Sequence, residues 1–362
     1  MLRKLHKLEA LRGFAALYVF AGHLLLERVI DKHSIGGFFL RFGQEAVVLF
    51  FIISGFVVYY STVAHKDTSF ATYFWRRFRR IYPIFLLALL VSYLCAAISL
   101  GEMPGVNGVQ LLGNLLMLQD FKSGKPGVWI DPFLGNTPLW SLAYEWWFYM
   151  MFFPMFLHVP NRFQLHLVAL ISSIGFVTYS FAPNQISLFL LYFMLWWSGV
   201  ELARTYLNGK QLSLHSQRTI LIYLTGLTAL TALPLVYAQS KGSALEFGVH
   251  PVLEFRHFFA CLMLIVGGLM WHRARWKGFE SLLGVFSVVS PISYAIYVFH
   301  YPLAVSSTYL SNLPSSQQVL GYAVITIALA FLAEGPFQNY LNRRFPISSR
   351  SQRRNESKSS PT

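Results

Sequence analysis

Arg12 and His23 are eleven positions apart in LEALRGFAALYVFAGHLLL, residues 8–26, a stretch that otherwise has the composition of a membrane span. At 100° per residue, eleven steps complete three turns plus about 20°, and the rise between the two side chains is about 16 Å. One helix face thus carries a guanidinium near a membrane boundary and an imidazole roughly half a bilayer deeper. Ionisable groups at that depth are costly and face a wet cavity or a partner. A neutral imidazole there suits proton abstraction from a hydroxyl, or direct attack on an acyl carbon. Without chemistry, Arg12 would snorkel to headgroups and His23 would hydrogen-bond a neighbouring helix.

Further polar residues interrupt other apolar runs. Glu45 opens GQEAVVLFFIISGFVVYY, where the small pair Ser54-Gly55 allows close approach of a helix or ligand. Glu145 lies in TPLWSLAYEWWFY beside Trp140, Trp146 and Trp147, His300 in ISYAIYVFHYPL, and Glu334 in AEGPFQNY. The loop ATYFWRRFRRIYP, residues 71–83, holds Arg76, Arg77, Arg79 and Arg80. A stop-transfer cluster explains that loop. So does a phosphate site, because guanidinium forks bind phosphate bidentately and the RxxR spacing of Arg77 and Arg80 aligns two of them.

These residues belong to a 362-residue chain that is 55% hydrophobic and 12% charged, with a mean hydropathy of +0.49. That balance implies an all-α, polytopic transmembrane helix bundle. Ten candidate spans lie near 8–30, 37–61, 81–100, 138–158, 164–182, 185–206, 218–238, 255–271, 288–310 and 317–338, and residues 108–119 are apolar but too short to cross. With the N-terminus in the cytoplasm, Lys and Arg gather in the inside loops and leave Lys32, Lys122, Lys125 and Lys241 outside. The positive-inside rule then puts both termini in the cytoplasm. The net charge of +14 is therefore a topology signal, and nucleic acid is not an expected partner. MLRKLHK and the run after it read as a retained first span, since no small-x-small cleavage site follows. Cys95 and Cys261 sit in apolar runs as inert thiols. Residues 1–340 form one membrane domain, and the polar, basic segment 341–362 is expected to be a disordered cytoplasmic tail.

Taken in order, these motifs resemble the integral-membrane acyltransferase family three, the bacterial O-acyltransferases of lipopolysaccharide, capsule and other surface glycans. The resemblance rests on LEALRGFAALYVFAGH, FFIISGFVV, RRFRRIYP, PLWSLAYEWWFY, SYAIYVFHYPL and EGPF, spread over residues 8–337. It implies a multi-pass protein of the bacterial inner membrane that moves an acetyl or other acyl group from cytosolic acyl-CoA to a sugar hydroxyl of a surface or lipid-linked glycan. Acyl-CoA would be a co-substrate, with no permanently bound cofactor. Under that reading Arg76, Arg77 and Arg80 hold the coenzyme phosphates, with Arg12 at the same level, and His23 is general base or acyl carrier. Glu145 orients an imidazole or a sugar hydroxyl, and His300 assists as donor or second base. Trp140, Trp146, Trp147, Trp129 and Glu45 are candidates for contact with the sugar, although an aromatic belt explains the tryptophans equally well. No metal is implied, because His23 and His300 lack a recognisable ligand set. The alternative from another class is a proton-coupled secondary transporter of a small polar solute, which the buried His, Glu and Arg also fit.

Overall fold

The computed structural model describes residues 5–346, and these form a helical bundle whose described residues include one isolated β-bridge, Gln119 with Ile130. In chain order the helices are α1 (His6–Arg28), α2 (Ile35–Leu40), α3 (Gly43–Ala64), α4 (Phe70–Leu100), α5 (Gly108–Leu115), α6 (Leu139–His158) and α7 (Asn161–Phe181). They continue as α8 (Gln185–Leu207), α9 (Arg218–Ser240), α10 (Val252–Arg273), α11 (Phe279–Leu282), α12 (Ser293–His300), α13 (Ser315–Leu332) and α14 (Gln338–Arg344). Eight segments are long and apolar enough to cross a membrane: α1, α2 with α3, α4, α7, α8, α9, α10, and α13 with α14. The expected all-α polytopic bundle is therefore present.

Two of the ten expected spans take other forms. Helix α6 fills the expected 138–158 segment with 20 residues, most of them buried against protein. The expected 288–310 span is broken: 3₁₀ turns at Gly284–Val288 and Ser290–Ile292 lead into the eight-residue α12, and a π turn follows at Tyr301–Val305. Pro291 and Pro302 remove backbone donors there, which weakens a regular helix at both breaks. Arg28 takes up the freed carbonyls of Ala304, Val305 and Ser307 and lies 4.7 Å from the Tyr322 ring centroid. Such irregular backbone is tolerated at membrane depth only when buried in protein, and the π turn is buried at Pro302, Leu303 and Ala304, whereas the Gly284–Val288 turn has no buried residue.

The arginine stretch is not a loop. It lies within the 31-residue α4, which starts about a turn and a half before it. Pro83, further along the same helix, leaves the Arg79 carbonyl without its i+4 donor, and the Gln338 side-chain amide fills that place at 3.0 Å. This ties α14 to α4. Residues 341–344, assigned from composition to a disordered tail, are helical within α14, and 347–362 lie outside the described residues.

Helix α8 is the hub, with Tyr192, Trp196 and Trp197 fully buried. Its contact with α3 requires glycine on both sides. A Cβ on Gly55 would lie 2.0 Å from the Trp196 carbonyl oxygen, and one on Gly199 would lie 1.9 Å from that of Ile52. The small pair read from the sequence at Ser54-Gly55 thus admits a helix, as small residues do in bilayers.

Candidate functional site: a line of cavities from an arginine cluster to a histidine pair

Helices α1 and α12 bring the two histidines of distant sequence together. His23 Nδ1 lies 2.9 Å from His300 Nε2, with the rings near parallel at 21° and their centroids 5.1 Å apart. His300 Nδ1 lies 2.8 Å from the Tyr297 carbonyl and 3.2 Å from that of Ile296. A carbonyl only accepts, so His300 carries its proton on Nδ1 and presents a lone pair at Nε2. His23 must then donate through Nδ1, which leaves the lone pair of neutral His23 on Nε2. That atom has no hydrogen-bond partner among the described residues, and His23 lines a cavity of about 200 Å³ closed on one side by Phe121, Ser123, Thr137 and Pro138. The relay of backbone carbonyl, His300 and His23 fixes the tautomer as a hydrogen-bonded carboxylate would.

A second cavity, of about 310 Å³, gathers Arg12, Arg77, Arg80 and Glu145. The shared helix face predicted for Arg12 and His23 appears here as two adjacent chambers along one wall. Tyr297 lines both, its hydroxyl 2.8 Å from Ser141 Oγ and 3.0 Å from the Pro138 carbonyl. A third cavity, of about 280 Å³, shares Arg77 and Arg80 with the second and adds Arg76, Arg79, His65 and Asn342. The three form a line from the arginine end of the bundle to the 101–138 loop.

The arginines are not equivalent. Arg76 pairs with Asp67 and Arg80 with Glu334, so both charges are neutralised. Arg77 donates to Ser61 Oγ at 2.7 Å and lies over the Tyr73 ring, and Arg79 donates to Asn342 Oδ1 at 2.5 Å. Buried donors are left over: Arg77 Nε, and Arg79 Nε and Nη1. Arg12 has no hydrogen-bond partner among the described residues. Arg77 and Arg79 therefore meet no acid, while Arg12 shares its chamber with the Glu145 carboxylate. Sequence reasoning chose Arg76 and Arg80 over Arg79, because spacing alone does not reveal which guanidinium meets an acid.

Other expected residues fall elsewhere. Glu145 does not reach an imidazole: its Oε1 accepts from Ser54 Oγ at 2.5 Å and from the Tyr149 hydroxyl, and it faces the arginine chamber. Glu45 is bound by Arg256, whose Nε and Nη2 donate to Oε1 at 2.9 and 2.5 Å, which joins α3 to α10, while Glu45 Oε2 is buried without a hydrogen-bond partner among the described residues. Trp146 is buried against Phe74, Phe78 and Tyr82 and is a packing residue at the arginine level. Trp147 donates to the Met117 carbonyl, and Trp129 is exposed on the loop. Trp140 does line the His23 chamber, but its ring is engaged by the Lys125 ammonium at 4.0 Å and by His257, parallel at 5.9 Å.

Sequence reasoning missed the clasp that holds the loop over His23. Lys125 and Asp120 are both 0% exposed, with Lys125 Nζ 3.0 Å from each carboxylate oxygen and the Tyr144 hydroxyl donating to Oδ2 at 2.6 Å. Burial pushes the Lys125 ammonium down and the Asp120 carboxyl up, while their mutual attraction opposes both shifts. In the sequence, Lys125 looked like one of four ordinary outside-loop lysines.

Comparison with known proteins shows the family. The family model described as "Acyltransferase domain" matches residues 5–335. A protein named acyltransferase MdmB, from Streptomyces mycarofaciens, is 33% identical over 196 residues, which cover 50% of this chain and 48% of that protein. The chain thus spans about half the length of this curated relative. No solved structure matches.

Proposed function

The chain belongs to the acyltransferase family whose domain model spans residues 5–335, and from that premise we propose that it transfers an acyl group from acyl-CoA to a sugar hydroxyl, with His23 as general base. The observation that carries the proposal is the succession of three adjacent cavities, two sharing Arg77 and Arg80 and two sharing Tyr297, with guanidinium charge that meets no acid at one end and an unpartnered imidazole nitrogen at the other.

Coenzyme A is polyanionic, so its phosphates need a basic site. Arg77 and Arg79 line the third cavity and meet no acid, so their charge is available for it. Charge asymmetry along the chain puts this end in the cytosol, as expected for a protein of the bacterial inner membrane. The pantetheine arm would run through the Arg12 chamber, past Tyr297, and bring the thioester carbonyl to His23. There the acceptor hydroxyl attacks the carbonyl carbon as His23 Nε2 takes its proton. The tetrahedral intermediate collapses with cleavage of the C–S bond, and the same proton passes to the departing sulfur. The products are an ester and free coenzyme A thiol. His23 is cationic for the lifetime of the intermediate, and the His300 Nε2 lone pair stabilises it through the 2.9 Å bond. The acyl group then crosses toward the 101–138 loop while coenzyme A stays on the arginine side.

The test uses membranes carrying wild type and His23→Ala at matched abundance, supplied with radiolabelled acetyl-CoA and a total surface-glycan extract. Label in glycan from wild type, at least about 100-fold above His23→Ala, is expected of a general base. Equal labelling by both would refute the assignment. A wild type that releases no thiol from acetyl-CoA or longer acyl-CoAs would refute acyl transfer.

A further inference from the structure

Gln44 stands in the first turn of α3 and lines the His23 chamber, yet its amide oxygen Oε1 is buried without a hydrogen-bond partner. A buried carbonyl left unpaired is costly, and such groups in native proteins require an explanation. Two further polar side chains on the same wall, Ser123 and Thr137, make no side-chain hydrogen bond among the described residues. The chamber therefore has spare hydrogen-bonding capacity: the Gln44 amide nitrogen, two hydroxyls, and the His23 Nε2 lone pair. No charged side chain lines it, its remaining walls being Val19, Val47, Phe121, Trp140 and Tyr297 with backbone. At about 200 Å³ it is smaller than the roughly 300–1,000 Å³ of pockets that enclose drug-sized ligands.

We infer that this chamber is the acceptor subsite and takes a single uncharged sugar ring, one hydroxyl donating to His23 Nε2 and a second bound by the Gln44 amide. The inference rests on the acyl-transfer reading. These two contacts require at least two hydroxyls on the ring, and the first is the one esterified. A carboxylate or phosphate on the enclosed ring is excluded, because the walls carry no cation to compensate its desolvation. The rest of a longer acceptor stays outside, beyond the loop residues Ser123 and Thr137. Gln44 binds the substrate without exchanging a proton.

The experiment uses full-length protein in lipid nanodiscs, acetyl-CoA, and a panel of methyl glycosides: glucopyranoside, galactopyranoside, rhamnopyranoside, their monodeoxy analogues, and glucuronide. Wild type is expected to acetylate at least one neutral glycoside and to leave the glucuronide at the background of transfer to water. Gln44→Leu should raise the acceptor KM at least tenfold, with the acetyl-CoA KM and the slow release of thiol to water unchanged. One monodeoxy analogue should cost wild type about tenfold and Gln44→Leu nothing, which a merely misfolded variant would not reproduce. Efficient use of the glucuronide, transfer to none of the neutral glycosides, or deoxy penalties that are the same in both proteins would overturn the inference. If thiol is released to water, that failure belongs to the subsite alone; if wild type releases none, acyl transfer itself falls and the subsite with it.

Discussion

Two clusters of buried charge lie at opposite ends of the cavity line, and they use their hydrogen bonds differently. At the loop end, Lys125 spends its donors on Asp120 and Tyr144, and Asp120 spends both oxygens on Lys125, Tyr144 and the Phe121 amide. Nothing is left over, and four aromatic rings surround the ammonium within 5.5 Å. At the arginine end, two of four guanidiniums meet acids, while Arg77 and Arg79 meet neutral groups and keep unpaired donors. The first cluster is a clasp, and under the proposed function the second is a receptor. The presence of buried charge does not separate them; the hydrogen-bonding capacity left over after folding does.

Breaking the clasp should have the largest effect on stability. Lys125→Met leaves Asp120 charged and buried, and a loss of about 3–5 kcal/mol is expected, read as a fall in the thermal midpoint of protein in nanodiscs. Replacing both partners, Lys125→Met with Asp120→Leu, should restore most of it, since an apolar pair of similar volume is often as stable as the ion pair. If the double variant is no better than the single one, Asp120 has a role outside the pair.

The same operation at the receptor end should move binding in place of stability. Arg77→Ala removes a guanidinium whose partner is neutral Ser61, so the midpoint should shift by no more than about 1 kcal/mol allows. The KM for acetyl-CoA should rise by about ten- to a hundredfold, the equivalent of about 1.5–3 kcal/mol for one charge-assisted hydrogen bond. Arg80→Ala is a poorer probe, because it strands Glu334 and confounds the two effects. A still smaller change is expected at the half-buried Glu45 and Arg256 pair. Glu45→Gln should cost about 1 kcal/mol of stability and leave transfer kinetics within twofold, measured by thiol release. A tenfold loss of turnover there would place Glu45 in the site.

The sequence made much of this arrangement legible, and its gaps have physical causes. The Arg12 and His23 face was readable because helical periodicity is local. The Arg77 and Arg80 pair followed from an i,i+3 spacing on a helix. The Ser54-Gly55 approach was visible in residue size, although α8 as its occupant was not. What could not be read were partners of distant origin: His300 against His23, Arg256 against Glu45, Glu334 against Arg80, and Ser54 against Glu145. Each depends on packing between helices far apart in the chain. The break around α12 was likewise hidden, since its apolar composition reads as a continuous span while Pro291 and Pro302 and the carbonyls held by Arg28 decide its form.

The most direct test of the cavity line is equilibrium binding of acetyl-CoA to wild type, Arg77→Ala and His23→Ala in nanodiscs, paired with acceptor-dependent turnover of the same samples. The account predicts that Arg77→Ala weakens binding at least tenfold, and that His23→Ala binds as wild type does while losing turnover by about 100-fold or more. Wild-type turnover by His23→Ala, or equal weakening of binding in both variants, would contradict it.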